Sequence, residues 1–158
     1  MINPRIATKQ DMPRVLELIN QLAVFEKEPD AVEVTLSDLE RDGFNSNPKF
    51  TCFVLEIDNV VEGIALVYPR YSTWKGIVLH LEDLIVNEKF RGKGIGTQLL
   101  DAVVKYGKKI GVKRISWEVL DWNEPAIKFY ESKGANVMRD WDVVQLDEKG
   151  IENYLKQL

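Results

Sequence analysis

The segment from Leu81 to Gly96 constrains the fold of this chain more than any other. An apolar, strand-like run, Leu81-Glu82-Asp83-Leu84-Ile85-Val86, leads after four residues into Arg91-Gly92-Lys93-Gly94-Ile95-Gly96, and a helical pattern follows. Glycines at every second position leave backbone N–H groups uncovered, and the helix behind them adds the positive end of its dipole. This order of strand, turn and helix predicts a site for an anion, with phosphate as the obvious ligand.

Two common phosphate-binding motifs do not match this turn. The lysine and the serine or threonine that end a Walker A loop are missing, and in both frames of G-x-G-x-x-G the last position is Thr97 or Leu99. The pattern that does match is R-x-x-G-x-G, from Arg91 to Gly96. An ordinary strand-turn-helix connection would use the same glycines, so the rest of the chain has to decide between the two interpretations.

Length and composition predict one soluble domain over residues 1–158. The chain is 45% apolar and 29% charged, which is typical of globular proteins. It has no apolar run long enough to span a membrane and no signal peptide at its start, so we expect a cytoplasmic protein without a membrane partner. Cys52 and His80 are the only residues of their types, which argues against a Cys/His metal site. We therefore expect no metal, and we interpret Cys52 as a buried structural thiol.

The charge distribution suggests the kinds of ligand that the protein binds. A net charge of -4 argues against nucleic acid as a partner. Between Glu26 and Glu62 there are ten acidic and three basic side chains, whereas between Leu84 and Arg114 there are eight basic and two acidic ones. This asymmetry suits an anionic cofactor at the turn and a cationic substrate, although charge runs are often only solvated surfaces.

Hydrophobic periodicity predicts a mixed α/β (α+β) chain with about seven strands, mostly antiparallel. Strands are predicted at 5–7, 51–57, 60–68, 76–86, 114–120, 137–138 and 141–146, helices over 8–25, 35–43, 95–110, 123–134 and 151–158, and a connection over 69–75. The strand at 114–120 is reached through a helix, so it should run parallel to the strand before the turn.

This order of elements resembles that of the GNAT superfamily of acetyltransferases over nearly the whole chain. The closest resemblance is to the spermidine/spermine (diamine) N-acetyltransferases, and three blocks carry it: Leu81-Glu82-Asp83, Arg91 to Gly96, and Trp122-Asn123-Glu124-Pro125-Ala126-Ile127-Lys128-Phe129-Tyr130. The resemblance implies a GNAT fold whose adjacent parallel strands splay apart at an acetyl-CoA (coenzyme A) site. It also implies a homodimer.

Acetyl transfer to an amine requires a proton acceptor for the amine and a proton donor for the leaving thiolate. An alkylamine with a pKa of about 10.4 is protonated at pH 7, and producing the free base costs roughly 4 to 5 kcal/mol. Glu82 lies on the strand that leads into the turn, and the resemblance assigns it the role of base, directly or through water. The resemblance assigns Tyr130 the role of general acid. The alternatives are a salt-bridged Glu82 and a Tyr130 that only packs in the core, while His80 is expected to face packing or solvent.

The resemblance also implies the residues that bind the cofactor and the amine. Strand residues pair with pantetheine, the turn binds the pyrophosphate, and the later helix adds pantetheine contacts. These cofactor-binding residues are Leu84, Ile85, Val86, Arg91, Gly92, Lys93, Gly94, Ile95, Gly96, Thr97, Asn123 and Ala126. For the substrate it implies Glu26, Asp83 and Trp141, where Asp83 faces away from Glu82 if the strand is regular.

The chain departs from the polyamine pattern just before Trp141. Polyamine acetyltransferases have an acidic pair and a glycine there, whereas this chain has Met138-Arg139-Asp140, which brings a positive charge. We therefore expect an N-acetyltransferase for a small primary amine, which is a diamine, a polyamine or a lysine-like amino acid. An acetyltransferase for protein lysines or N-termini and a non-catalytic acyl-CoA-binding module remain the alternatives.

Overall fold

A computed structural model describes residues 3–158, and the first two residues of the predicted 1–158 domain lie outside the described part. By its internal contacts the chain consists of two compact units, one that ends at Glu118 and one that comprises Val119–Leu158. The assignment of all 158 residues to one domain stays a prediction.

The N-terminal unit begins with β1 (Arg5–Ile6) and a 3-10 turn that leads into α1 (Met12–Phe25). α2 (Leu36–Gly43) follows, and the Thr35 hydroxyl accepts a hydrogen bond from the Asp38 N–H at its start. Because Asp38 in turn accepts from the Thr35 N–H, two amides are satisfied at this helix end. Both helices end where the sequence predicts.

A five-stranded sheet with the order β1-β2-β3-β4-β5 forms the centre of this unit. Its long strands are β2 (Thr51–Ile57), β3 (Val60–Ser72) and β4 (Gly76–Val86), and β5 comprises only Ile115–Ser116. Neighbouring strands are antiparallel except β4 and β5, which are parallel. The mixed, mostly antiparallel GNAT sheet is confirmed, and the parallel pair lies where the sequence predicts it.

The predicted connection over 69–75 is wrong, because β3 continues through Pro69 to Ser72 and pairs with β4 as far as Gly76. Tyr71 pairs with Ile77, and an aromatic residue opposite a β-branched one favours continued pairing of the hairpin. Only 73–75 form the turn.

The number of strands is five in the described residues rather than about seven. The segments 137–138 and 141–146, predicted as strands, have no strand pairing, and 114–120 shortens to two residues. Val143, Val144 and Leu146 are 62%, 91% and 63% exposed. Apolar alternation yields a strand only where a neighbouring edge completes the hydrogen bonds, and this segment lacks that edge within its unit.

The two faces of the sheet pack against different helices. Cys52 and Val54 of β2 lie in a buried cluster with residues of α1 and α2. Phe53, which lies between them, packs edge-on against Tyr106 of α3 (Ile95–Ile110), with ring centroids 5.5 Å apart. The pleat therefore directs alternate residues to the two helical layers. Cys52 is 3% exposed, which confirms it as a buried thiol.

α3 approaches the sheet closely at Gly63, where an added Cβ would lie 2.9 Å from side-chain carbons of both Ile95 and Leu99. The helix ends at Gly111, whose φ of 77° is left-handed. The apolar residues at helical spacing, Ile95, Leu99, Ala102, Val103, Tyr106 and Ile110, predict a buried stripe, and only Ile110 among them is exposed, at 45%.

The C-terminal unit contains two helices, α4 (Glu124–Ser132) and α5 (Glu148–Leu155). Asn123 is the N-cap of α4, and its side-chain oxygen accepts a hydrogen bond from the Ala126 N–H at 3.4 Å. Gly134 follows the end of α4 with a φ of 85°. The predicted helices over 123–134 and 151–158 are confirmed, and the second begins earlier than predicted, at Glu148.

Candidate functional site

The glycine turn places an open, uncapped helix end after β4. Gly92 and Gly94 have φ values of 74° and 81°, and a Cβ added at either would meet no heavy atom within 4 Å. The first N–H of α3 to donate back into the chain is that of Gln98, to the Gly94 carbonyl at 3.1 Å. The amides at 95–97 lie in the first turn of α3, before its first internal hydrogen bond. The glycine at the N-cap offers them no side-chain oxygen. These amides therefore suit an external anion.

Two cations flank the turn and are held by aromatic rings. The Arg91 guanidinium lies 4.9 Å from the ring centre of Phe25, and its Nε donates to the Val86 carbonyl at 3.1 Å. The Lys93 ammonium lies 4.9 Å from the ring centre of Phe90. Because Arg91 and Lys93 are exposed, they add positive charge beside the open amides.

A buried carboxylate anchors the segment between β4 and the turn, and no sequence pattern predicted it. Glu62 is 8% exposed and accepts hydrogen bonds from Arg14 at 2.7 Å and from the Asn87 side chain at 2.6 Å. The Asn87 N–H also donates to the Glu62 carbonyl at 2.8 Å. Glu62 thus ties α1, β3 and the residues that lead into the turn together.

Within the described part of the N-terminal unit, the end of β4 pairs with no strand on its parallel side. β4 pairs with β5 only at Leu79↔Ile115 and His80↔Ser116. Leu84, Ile85 and Val86 pair with β3 alone, and of the three only Ile85 is fully buried. A sheet edge of this kind suits an extended, strand-like ligand, which is the role predicted for these three residues.

β4 is irregular at Glu82. Val67 pairs with Leu81 and Leu66 pairs with Asp83, so Glu82 is an extra residue that forms a β-bulge. The condition for Glu82 and Asp83 to face opposite sides, a regular strand, therefore does not hold. The Glu82 side chain is 53% exposed, whereas Asp83 lies half-buried in the row of Cys52 and Leu66.

Glu26, Glu82 and Asp83 form an acidic cluster in the N-terminal unit. Burial, followed by the charges of Glu82 and Glu26, raises the pKa of Asp83 to about 6. Burial also raises the pKa of Glu26. Asp83 is therefore penalised both by burial and by two neighbouring charges, and a bound cation would relieve both penalties. Among the described residues no group of three or more potential ligands is arranged to hold a metal ion.

His80 lies beside this cluster, and its contacts were not predicted. It is 5% exposed, its Nδ1 lies 3.2 Å from the Ser116 hydroxyl, and its Nε2 lies 3.7 Å from a carboxylate oxygen of Glu82. The Tyr68 ring packs against it, with centroids 5.2 Å apart. The signal in the sequence was the two-residue spacing of His80 and Glu82 on one strand.

The remaining predicted site residues belong to the C-terminal unit. Tyr130 is 9% exposed on α4, and its ring centroid lies 5.3 Å from that of Phe129. Asn123 and Ala126 form the first turn of α4. Trp141 is 66% exposed in the segment without strands.

Comparison with known proteins identifies the family. The model of the acetyltransferase (GNAT) family matches residues 13–135. The chain belongs to the GNAT family. The resemblance inferred from the turn and from the block that ends at Tyr130 is thereby confirmed, and the protein is an N-acetyltransferase.

Curated relatives of this GNAT protein include enzymes named for amine substrates. Thialysine N-epsilon-acetyltransferase from Bos taurus is 37% identical over 83% of this chain and 82% of its own length. L-ornithine N5-acetyltransferase NATA1 from Arabidopsis thaliana is 33% identical over 94% of this chain and 85% of its own. Spermidine/spermine N(1)-acetyltransferase-like protein 1 from Homo sapiens is 36% identical over 83% of this chain, which spans only 20% of that longer protein.

Solved structures share the GNAT fold. An integron cassette protein from the mobile metagenome of V. cholerae superposes with a TM-score of 0.79 at 21% identity, over 98% of both chains. The aminoglycoside acetyltransferase AAC(6')-Iy, solved with a bisubstrate analogue of CoA, has a TM-score of 0.76 at 19% identity, over 92% of this chain and 97% of its own. At these identities the likeness concerns the fold alone.

GNAT enzymes use acetyl-CoA, so the predicted cofactor is confirmed. The turn of this chain fits it, since left-handed glycines leave the amides at 95–97 open next to two cationic residues in the chain, and the cofactor carries a pyrophosphate. Of the helices formed by residues 3–158, none has the combination of length and apolar character that crossing a membrane requires.

Proposed function

We propose that this GNAT enzyme acetylates the primary amine of a small cationic substrate, which is a diamine, a polyamine or a lysine-like amino acid. The observation that carries the proposal is the acidic cluster of Glu26, Glu82 and Asp83, because a buried carboxylate beside two other carboxylates favours a cation. The names of the relatives, which specify thialysine, ornithine and spermidine or spermine, support the same class of substrate.

Glu82 acts as the base in this proposal. The bound cofactor supplies an acetyl group activated as a thioester, and the amine attacks only in its neutral form. Glu82 is the most accessible carboxylate of the cluster and lies on the strand that leads to the glycine turn. It removes the ammonium proton directly or through a water molecule. Glu26 and Asp83 hold the cationic substrate, and Trp141 adds an apolar contact.

Tyr130 supplies the proton for the leaving sulfur. A phenol has a pKa of about 10, close enough to the 8.5 of a thiol for proton transfer to be efficient. The resemblance of the block Trp122 to Tyr130 to the diamine acetyltransferases supports this role.

Three groups of residues bind acetyl-CoA in this proposal. The amides of the turn and the start of α3 bind the pyrophosphate, the free side of β4 pairs with pantetheine, and the first turn of α4 adds contacts. These residues are Arg91, Gly92, Lys93, Gly94, Ile95, Gly96 and Thr97 in the turn, Leu84, Ile85 and Val86 on β4, and Asn123 and Ala126 on α4.

Arg139 favours an amino acid over a polyamine. It is exposed and lies two residues before Trp141. A guanidinium repels a second ammonium group but binds a carboxylate in a bidentate geometry. Ornithine and lysine carry such a carboxylate, whereas putrescine and cadaverine are the same amines without it.

A panel of amines tests the proposal. Purified enzyme, acetyl-CoA and each of ornithine, putrescine, lysine, cadaverine, spermidine and a lysine-containing peptide are compared by the rate of thiol release. We expect each amino acid to exceed its matched diamine in kcat/KM by about tenfold, the equivalent of about 1.4 kcal/mol, and Arg139→Ala to remove that difference. Acetylation of the peptide alone would favour the protein acetyltransferase. A panel without turnover, although acetyl-CoA binds, would refute the proposed substrate class.

The homodimer and the cytoplasmic location stay predictions. The exposed apolar side chains of 143–146 support self-association, since a second copy offers an edge with which this strand-like segment can pair. Light scattering of purified protein should give the mass of two chains, and the mass of one chain would contradict the dimer.

A further inference from the structure

His80 lies in a row of side chains that crosses three strands. Tyr68 of β3 pairs with His80 of β4, and His80 pairs with Ser116 of β5. This row lies in the short stretch where β4 pairs with β5, just before the bulge at Glu82. The packed Tyr68 ring and the Ser116 hydroxyl fix the position of the imidazole on both sides.

The contacts of the ring determine which nitrogen carries the proton. With the proton on Nε2, the imidazole presents an N–H to the Glu82 carboxylate, and Nδ1 accepts a hydrogen bond from the Ser116 hydroxyl. The opposite tautomer would direct a lone pair at a negative charge. The Nε2–H form is therefore favoured.

His80 is too deeply buried to contact a substrate itself, since it is 5% exposed while the Glu82 side chain is 53% exposed. The distance of 3.7 Å from Nε2 to the Glu82 carboxylate is longer than a hydrogen bond. Contacts of this kind commonly tighten when substrate binds. A half-exposed carboxylate on a bulge has several rotamers, and a fixed donor selects one of them.

We propose that His80 is a positioning residue for Glu82, which it holds as an ionised, outward-facing base through its Nε2–H while Ser116 fixes the tautomer. This inference rests on the proposed function, in which Glu82 accepts the ammonium proton.

The charges around the ring determine the direction of the pH effect. Burial lowers the pKa of His80, and Arg70 of β3 lowers it further, whereas Glu82 and Glu118 raise it. Tyr68 carries no charge near neutral pH, because burial, the charge of Glu82 and a hydrogen bond with the Glu82 side chain raise its pKa. The ring therefore acts as a neutral donor. A donor stabilises the carboxylate form of Glu82, so its removal should disfavour that form.

Two amide variants separate the roles of the two ring nitrogens. His80→Gln places an N–H near the position of Nε2, whereas His80→Asn reaches only the position of Nδ1. We expect His80→Asn to move the acidic limb of the kcat/KM profile upward by about 0.5 to 1 pH unit, because a hydrogen bond to a half-exposed carboxylate is screened by solvent. His80→Gln should keep the limb of the natural enzyme. Thermal unfolding of both variants checks that they fold.

Glu82→Gln in the same assay distinguishes failure of the inference from failure of the proposed function. The positioning role is wrong if Glu82→Gln abolishes the limb while His80→Asn and His80→Gln both leave it in place. It is also wrong if the limb disappears in His80→Gln, since the imidazole itself would then be the titrating group. If Glu82→Gln leaves the profile intact, Glu82 is not the base, and the role of His80 fails with it.

Discussion

The glycine turn and the acidic cluster both belong to the N-terminal unit, but they are built in opposite ways. The turn is a continuous segment, 91–97, whose proposed ligand groups are backbone amides exposed by left-handed glycines. The cluster joins Glu26, at the end of α1, to Glu82 and Asp83 on β4, and its proposed ligand groups are side chains. A site made of backbone depends on chain conformation, whereas a site made of side chains depends on their ionisation.

This difference predicts two separable kinds of variant. Changes to the turn should weaken acetyl-CoA binding and leave the chemical step intact. Changes to the groups that transfer protons should lower turnover and leave acetyl-CoA binding intact. Any variant that affects both to the same extent would contradict the separation.

Tyr130→Phe should give the largest effect. It removes only the proposed proton donor, so we expect kcat to fall by about 10² to 10³-fold, within the range of general acid catalysis. The dissociation constant of acetyl-CoA should stay within about twofold, because the ring and its packing remain. Steady-state kinetics and calorimetric titration measure the two quantities.

Phe129→Leu is the matched control for the tyrosine. It removes the ring that packs against Tyr130 but keeps the hydroxyl group. We expect kcat to change by less than about threefold, since the general acid is retained. Equal losses in the two variants would mean that Tyr130 acts through packing, and an unchanged kcat in Tyr130→Phe would exclude it from the reaction.

Gly94→Ala should give the next largest effect, on binding alone. A methyl group at a φ of 81° costs about 1 to 2 kcal/mol of strain. Relief of this strain should rotate the backbone and turn the amides at 95–97 away from the pyrophosphate. We expect the dissociation constant of acetyl-CoA to rise about tenfold, which corresponds to about 1.4 kcal/mol. At saturating acetyl-CoA, kcat should be nearly that of the natural enzyme.

Gly111→Ala separates strain from loss of the binding site. Gly111 lies at the other end of the same helix with a φ of 77°, and a Cβ there also meets open space. Both alanine variants should lower the melting temperature, but only Gly94→Ala should weaken acetyl-CoA binding. If both weaken it equally, helix strain rather than the turn is responsible.

The same contrast explains which features the sequence could predict. The bounds of α2, α3 and α4 follow from local caps at Thr35, Gly111 and Asn123, each within one turn of the helix end that it determines. The glycine turn is likewise local. Signals of this kind are complete within a few residues, so no knowledge of distant contacts is needed.

The features that the sequence did not predict depend on contacts between residues that are far apart in the chain. The bulge at Glu82 is defined by the register of β4 against β3, and alternation along β4 alone cannot reveal it. His80 acquires its role from Ser116, 36 residues later. Conversely, 141–146 has the pattern of a strand but no edge with which to pair within its unit, so the pattern overpredicts structure there.

Asp83→Asn should give the smallest effect and tests the acidic cluster through folding stability. The pKa of Asp83 is raised from 3.8 to about 6, so the folded protein binds an extra proton between these values. Stability from this group is thus fully present below about pH 4 and is lost as the pH rises towards 6. Asparagine stays neutral, so the variant should exceed the natural protein in free energy of unfolding at pH 8. The full shift corresponds to about 3 kcal/mol, and solvent screening of this half-buried group reduces the expected difference to about 1 kcal/mol.

Urea denaturation at pH 4 and pH 8 measures this difference, which should vanish at pH 4, where Asp83 is protonated. Glu33→Gln, which removes a charge from an exposed loop position, should change stability by less than about 0.5 kcal/mol at either pH. A variant that is no more stable than the natural protein at pH 8 would show that Asp83 is not strained by its neighbours. The acidic cluster would then be an ordinary solvated surface. Dependence on side-chain ionisation would no longer distinguish it from the turn.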